Sequence, residues 1–142
     1  MTADNPDIRW KQRFQNFDRA FVLLRSALEE KPLAEFNRLE QEGLIQRFSY
    51  TYELAWKTAK DYLQEQGTTF EEVTPKAVIQ AAFAAGLIMD GQTWVDMRLH
   101  RNLLAHSYDE QKFNEVLRAL EEKYLTALWH LHLRFMEKAV EK

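Results

Sequence analysis

The segment Gly43–Leu63, GLIQRFSYTYELAWKTAKDYL, decides the fold of this 142-residue chain. Its apolar and small residues recur at steps of three, four and seven, the period of an α-helix, and they fall on two stripes. One stripe holds Leu44, Phe48, Thr51, Ala55 and Tyr62, and the other holds Ile45, Tyr52, Trp56 and Leu63. A helix with two apolar faces has to be covered on two sides. We therefore predict a long helix from about Arg38 to Gln66, ended by Gly67, with packing partners on both faces.

The remaining face of this helix carries Glu53, Lys57 and Asp61, spaced four residues apart. Opposite charges at this spacing form ion pairs on the surface of a helix. We predict a solvated face with ordinary ion pairs, and the less favoured alternative is a polar pocket formed by Tyr50, Glu53 and Lys57.

Long helices are predicted on both sides of this segment. Residues 8–30 and 109–138 place apolar side chains at steps of four and three. Pro32 ends the first of these helices, because proline cannot continue the hydrogen-bond ladder. The apolar stripe of the first helix is Trp10, Phe14, Phe17, Phe21, Leu24 and Leu28, and that of the last is Phe113, Leu117, Leu120, Tyr124, Ala127, Leu131 and Phe135.

Two shorter helices are predicted between them. Thr74 is a good N-cap before Pro75, and Gly86 closes this helix, whereas Thr93 caps a second helix from Trp94 to about His106. No segment alternates with a period of two, so we predict no strand. The result is an all-α fold, an up-and-down four-helix bundle with a broken third helix. The aromatic stripes exceed what one small core uses, so we also expect a homodimer.

Length and composition exclude several classes of protein for this chain. The length fits a single domain spanning residues 1–142, and the absence of cysteine excludes disulfides and thiolate metal sites. No apolar run approaches 18 residues and no signal peptide is evident, so we expect a cytoplasmic protein that does not contact a membrane. The net charge of −3 argues against a broadly basic nucleic-acid binder, so any RNA contact must be local.

The segment RNLLAHSYDE, Arg101 to Glu110, concentrates side chains capable of phosphate chemistry. Arg101 offers a planar fork of donors to a phosphate, His106 can exchange a proton near neutral pH, and Tyr108 adds a hydroxyl. Arg98, His100 and Arg101 form a small basic cluster, in which Arg98 can support phosphate binding. These side chains can carry out phosphate chemistry without a metal ion, and we predict neither a metal site nor a cofactor.

Helix geometry limits how Arg101 and His106 can meet. Five residues turn an ideal helix by about 500°, which leaves the two side chains about 140° apart. Either the helix ends near His106, or Arg101 of one protomer meets His106 of another across a dimer. Ser107 followed by Glu110 is a capping-box pattern that starts a new helix after His106, which favours the first route.

Other candidate sites are weaker. His130 and His132 lie about 200° apart around a helix and cannot share a metal ion as residues four apart can. The chain has no Gly-rich phosphate loop and no nucleophile motif, so by itself it is not a nucleotidyltransferase or an NTPase.

With these residues identified, the chain resembles the HEPN superfamily, and within it the nucleotidyltransferase substrate-binding proteins. The resemblance rests on three segments: Gly43–Leu63, Thr74–Ile88 and Gly91–Glu110. It implies a helical bundle that dimerises and a partner that is a minimal nucleotidyltransferase. In toxin members of the superfamily it implies metal-independent cleavage of RNA.

The resemblance also assigns roles to residues of the last segment. Arg101, Asn102 and His106 match the superfamily pattern of arginine, a polar residue and histidine, and Tyr108 completes its Arg-x4-His-x-Tyr variant. In toxin members with that variant the partner attaches AMP to the tyrosine. Three hypotheses remain open: a ribonuclease toxin silenced at Tyr108, a non-catalytic subunit that holds phosphates for the partner, and a structural dimer. We favour the ribonuclease narrowly over the binding subunit.

Overall fold

A computed structural model of the chain describes the backbone of residues 6–106 and 109–140 and the side chains of residues 8–104 and 109–140. All regular structure in these ranges is helical, as predicted. The helices are α1 (Pro6–Glu30), a 3₁₀ turn (Leu33–Glu35), α2 (Arg38–Glu65), α3 (Pro75–Ala84), α4 (Gly91–His106), α5 (Glu110–Ala119), a π turn (Leu120–Tyr124) and α6 (Leu125–Val140). Within the described ranges, no helix has the length and apolar character needed to cross a bilayer.

The core of the bundle lies between α1, α2 and the helices that follow Asp109. Most residues of the predicted stripes are buried in it, and Phe17, Phe48 and Phe135 are fully inaccessible to solvent. The ring of Trp10 packs 5.7 Å from that of Phe135, and Phe48 stacks on Tyr124 at 5.5 Å between ring centroids. The two apolar faces of α2 are therefore both covered, which confirms the central expectation of the sequence.

The predicted helix limits at prolines and glycines are confirmed. Thr74 accepts a hydrogen bond from the amide of Ala77, so it caps α3 directly before Pro75. Gly67 and Gly86 follow α2 and α3 with φ angles of 101° and 75°, a left-handed conformation that glycine adopts without strain.

The prediction for Asp61 is wrong. Its side chain is fully buried, and it accepts a hydrogen bond from Nε of Arg13 at 2.7 Å, with Nζ of Lys60 at 2.8 Å. The reason is that α1 covers this end of α2, so the carboxylate lies in the helix interface beside an arginine. Lys57 and Glu53 form the expected surface pair at 3.6 Å.

The prediction for the start of α4 is also wrong, because the helix begins at Gly91 rather than Trp94. Oδ1 of Asp90 accepts a hydrogen bond from the amide of Thr93, and the Thr93 hydroxyl donates to Oδ2 at 2.6 Å. Asp90 therefore caps the helix and Thr93 supports the cap. These bonds hold the pKa of Asp90 below its ordinary value of 3.8.

Replacing Asp90 with alanine is expected to destabilise the protein by about 1 kcal/mol at neutral pH, because an N-cap acceptor is lost. A carboxylate whose pKa is lower in the folded state stabilises it above 3.8 and loses that effect as the pH falls through the folded pKa. Urea unfolding of wild type and Asp90→Ala, from neutral pH to below pH 3.8, measures both the loss of stability and its dependence on pH. Asp90→Asn keeps a cap without a charge and serves as the control; equal stability of wild type and Asp90→Ala would contradict the assignment.

The last predicted helix is not continuous. A π turn at Leu120–Tyr124 places one extra residue in the helix, which rotates everything after it by about 100°. Leu128 is therefore fully buried, whereas the predicted core residue Ala127 is only half-buried. The predicted cap is wrong as well, because Asp109 accepts hydrogen bonds from the amides at the start of α5, and Ser107 lies outside the described residues.

Candidate functional site

Arg101 and Glu53 form the centre of the candidate site. One terminal nitrogen of the Arg101 guanidinium on α4 lies 3.2 Å from Oε1 of Glu53 on α2. The side chains are 33% and 25% exposed, so the pair is open to solvent on one side. Because a guanidinium carries five donor hydrogens, this single contact orients Arg101 and leaves donors for an anion. The sequence identified Arg101, but it favoured an ordinary surface ion pair for Glu53, with a polar pocket of Tyr50, Glu53 and Lys57 as the alternative, and it did not pair Glu53 with Arg101.

A second arginine lies one helical turn before Arg101. Arg98 is half-buried on α4, and its buried Nε has no hydrogen-bond acceptor among the described residues. Residues three apart on a helix share a face, so both guanidinium groups approach α2. Lys57 also contacts Glu53, at 3.6 Å, so three cations lie near this one carboxylate, and the local excess of positive charge suits a phosphate.

Tyr52 of α2 lies beneath this pair of arginines. It is 1% exposed, and its hydroxyl has no hydrogen-bond partner in the described part of the chain. Burial, followed by the charge of Glu53, raises the pKa of Tyr52, and the charges of Arg98 and Arg101 oppose this shift. Tyr52 is therefore a neutral hydroxyl at physiological pH and adds no negative charge to the site.

The remaining predicted site residues are placed only in part. Asn102 is exposed on α4, about 100° around the helix from Arg101. The described part of α4 extends to His106, whose side chain lies outside the described residues. Tyr108 also lies outside them, two positions before α5 begins at Glu110.

His100 forms a contact that sequence reasoning missed. Its Nδ1 lies 2.7 Å from the hydroxyl of Tyr124, the last residue of the π turn. Burial lowers the pKa of His100 below 6.5, although the charges of Glu115 and Asp96 partly oppose the effect. We find nothing in the sequence that indicates a π turn, and the helical period alone gave no reason to pair these two residues.

The two C-terminal histidines do not form a site with each other. Nε2 of His132 lies 2.6 Å from Oδ1 of Asp18, and its ring stacks on Phe21 at 4.9 Å, so His132 links α6 to α1. His130 is exposed. In the described ranges, no group of three or more histidine, aspartate or glutamate side chains is arranged to hold a metal ion.

Comparison with known proteins assigns the chain to a class. Residues 12–137 match the family model described as nucleotidyltransferase substrate binding protein like, so the chain belongs to this family. The match includes α2, α4 and every residue of the candidate site.

Three similar proteins accompany this family assignment. The chain is 32% identical over 83 residues to a Haemophilus influenzae protein named probable ribonuclease HepT. This alignment covers 56% of this chain and 57% of that protein. The chain therefore matches little more than half the length of this relative. A crystal structure from Thermus thermophilus aligns with a TM-score of 0.72 and 27% identity over 88% of this chain and 99% of that one. A Haemophilus influenzae structure, described as the fold of a substrate binding domain of a nucleotidyltransferase, aligns with a TM-score of 0.60 and 25% identity over 90% and 97%.

Proposed function

We propose that this chain is a HEPN-type, metal-independent endoribonuclease, the toxin of a toxin–antitoxin pair whose other member is a minimal nucleotidyltransferase. The observation that carries the proposal is the position of Arg101. Glu53 holds it at the surface of α4, and His106 follows five residues later on the same helix. The family assignment supports the nucleotidyltransferase partner, and the name of the Haemophilus influenzae relative supports the ribonuclease.

In the proposed reaction the ribose 2′-oxygen attacks the adjacent phosphorus and the 5′-oxygen of the next nucleotide leaves. The proton of the 2′-hydroxyl passes to His106, and the leaving 5′-oxygen takes up a proton from water. Arg101 binds the phosphate oxygens on which negative charge accumulates, and Arg98 supports it from one turn away. Asn102 orients the reacting groups by hydrogen bonding. No metal or cofactor takes part.

The proposal includes a homodimer. On one helix Arg101 and His106 are about 140° apart around the axis and about 7.5 Å apart along it. Two copies related by a two-fold axis bring the arginine of each protomer towards the histidine of the other. A route within one protomer would use the same two residues.

Tyr108 is the proposed site of control. We expect the nucleotidyltransferase partner to transfer AMP from ATP to its hydroxyl, with release of pyrophosphate. Tyr108 follows His106 by two residues in the sequence, so we expect a nucleotide attached there to lie close to His106. The added phosphate is negative and competes with RNA for the arginines.

The second candidate function is a non-catalytic subunit that holds a phosphate-bearing substrate for the nucleotidyltransferase. The family description and the description of the Haemophilus influenzae structure favour it. The same Arg101–Glu53 pair suits this role, because binding a phosphate needs no proton transfer. The two functions differ in one observable, the cleavage of RNA by the chain alone.

The test is incubation of the purified protein with single-stranded RNA in the presence of a chelator. We expect wild type to cleave and Arg101→Ala/His106→Ala to be inactive, with unchanged mass by light scattering and unchanged helicity. Absence of cleavage in wild type, with binding to the nucleotidyltransferase retained, would favour the second candidate. Equal cleavage by the double variant would assign the activity to a contaminant.

A further inference from the structure

The His100–Tyr124 contact gives the imidazole a fixed orientation. Tyr124 is 1% exposed and its ring stacks on Phe48, so its hydroxyl has little freedom. The hydroxyl lies 2.7 Å from Nδ1 of His100. The side chain of His100 is 23% exposed, which means that one edge of a buried, anchored ring reaches solvent.

The π turn is what brings Tyr124 to this position. Without its extra residue, α6 would continue α5 in register, and the residues after Leu120 would point about 100° away from their present directions. π turns interrupt helices at a cost and are frequent at functional sites. This π turn places the Tyr124 hydroxyl against His100 of α4, the residue directly before Arg101.

The contact also favours one tautomer of His100, because among the described residues the buried Tyr124 hydroxyl has no acceptor within hydrogen-bond distance other than Nδ1 of His100. Burial raises the pKa of Tyr124, so its hydroxyl keeps its proton, and burial lowers the pKa of His100, so the ring is neutral at physiological pH. A neutral imidazole with Nδ1 accepting from Tyr124 carries its hydrogen on Nε2. His100 is thus a donor at Nε2 rather than a base.

The donor at Nε2 is available. Among the described residues, the carboxylate oxygen nearest to Nε2 is that of Glu115, which is 4.0 Å away and beyond hydrogen-bond distance. Lys112 and Asp96 are the other charged groups near the ring. Among the described residues, no acceptor lies within hydrogen-bond distance of Nε2.

We propose that His100 is an RNA-binding residue, which donates a hydrogen bond from Nε2 to the nucleotide adjacent to the phosphate held by Arg101. This inference rests on the proposed ribonuclease function. The two side chains leave α4 about 100° apart, so a strand crossing the helix contacts both of them at different nucleotides. Tyr124 is a positioning residue, because it acts only through the tautomer and orientation of His100.

Two amide substitutions separate the role of the Nε2 donor of His100 from the role of its contact with Tyr124. In His100→Asn the amide lies near the position of Nδ1, so its oxygen still accepts from Tyr124, but no donor reaches the position of Nε2. In His100→Gln the amide reaches the position of Nε2, and Tyr124→Phe is added so that no buried hydroxyl loses its acceptor. His130→Asn, at an exposed histidine on α6, is the matched control.

The first measurement is the affinity for a 2′-O-methyl oligoribonucleotide, which the proposed reaction cannot cleave. We expect His100→Asn to bind about three- to tenfold more weakly, the loss of one hydrogen bond, while His100→Gln/Tyr124→Phe and His130→Asn stay close to wild type. With cleavable RNA, KM rises in His100→Asn and kcat changes little, because the bond is present before and during the reaction.

The second measurement is the ¹⁵N NMR spectrum of the histidine ring, which we expect to show the hydrogen on Nε2 in wild type and a mixture of tautomers in Tyr124→Phe. Wild-type affinity in His100→Asn, or a hydrogen on Nδ1 in wild type, would overturn the role of His100 and leave cleavage by Arg101 intact. Wild type that neither binds nor cleaves RNA would overturn the proposed function, and the role of His100 with it.

Discussion

Replacing Arg101 with alanine is expected to slow RNA cleavage by about 10²- to 10³-fold, the usual effect of removing a donor that stabilises charge in a transition state. Arg101 is the partly exposed cation that Glu53 holds in place at 3.2 Å. Arg101→Lys keeps the charge but loses the planar fork, so we expect it to recover only part of the rate. Single-turnover rates in chelator measure both.

Substitution of Glu53 tests whether its contact with Arg101 contributes to the rate of cleavage. Glu53→Gln removes the charge that anchors Arg101 without removing the guanidinium, so we expect a smaller loss than in Arg101→Ala. Arg19→Ala, at an exposed position on α1, is the matched control and is expected to have no effect. If Arg101→Ala and Arg19→Ala cleave RNA at the same rate, Arg101 has no part in the reaction.

Attachment of AMP to Tyr108 is expected to abolish cleavage rather than reduce it. The nucleotide occupies space beside the end of α4, and its phosphate repels the RNA backbone and competes for Arg101. Incubation with the partner nucleotidyltransferase and ATP, followed by mass spectrometry, should show one added AMP on wild type. Cleavage should fall in proportion to the modified fraction.

Two variants control this experiment. Tyr108→Phe should remain unmodified and should still cleave RNA in the presence of the partner. Tyr50→Phe, at an exposed tyrosine on α2, should be modified and silenced like wild type. The mechanism of control is wrong if wild type stays unmodified while the partner is shown to be active on another substrate.

The helical period of the apolar residues predicts much of the fold. The stripes that include Phe17 and Phe48 predicted which faces are buried, because burial of apolar area is the largest favourable term and repeats with the helix. Asp61 escaped prediction because a charged residue usually marks a solvated face. Its burial depends on Arg13, 48 residues away, which no local pattern reveals.

The candidate site was predicted by residue type and only in part by arrangement. Arg101 and Arg98 stand out because few side chains bind phosphate so well, but the anchoring role of Glu53 depends on how α2 and α4 pack. The His100–Tyr124 contact depends on a π turn, and one extra residue in a helix turn leaves the apolar spacing almost unchanged. His106 and Tyr108 rest on the sequence alone.

The chemistry at the ends of the RNA fragments tests the central claim most directly. A metal-independent attack by the 2′-oxygen leaves a 2′,3′-cyclic phosphate on one fragment and a 5′-hydroxyl on the other, and mass spectrometry distinguishes these ends from all others. We predict that wild type in chelator produces them, and that a single 2′-deoxy substitution at the cleaved nucleotide prevents cleavage there. Fragments with 3′-hydroxyl and 5′-phosphate ends, or cleavage that survives the 2′-deoxy substitution, would contradict the account.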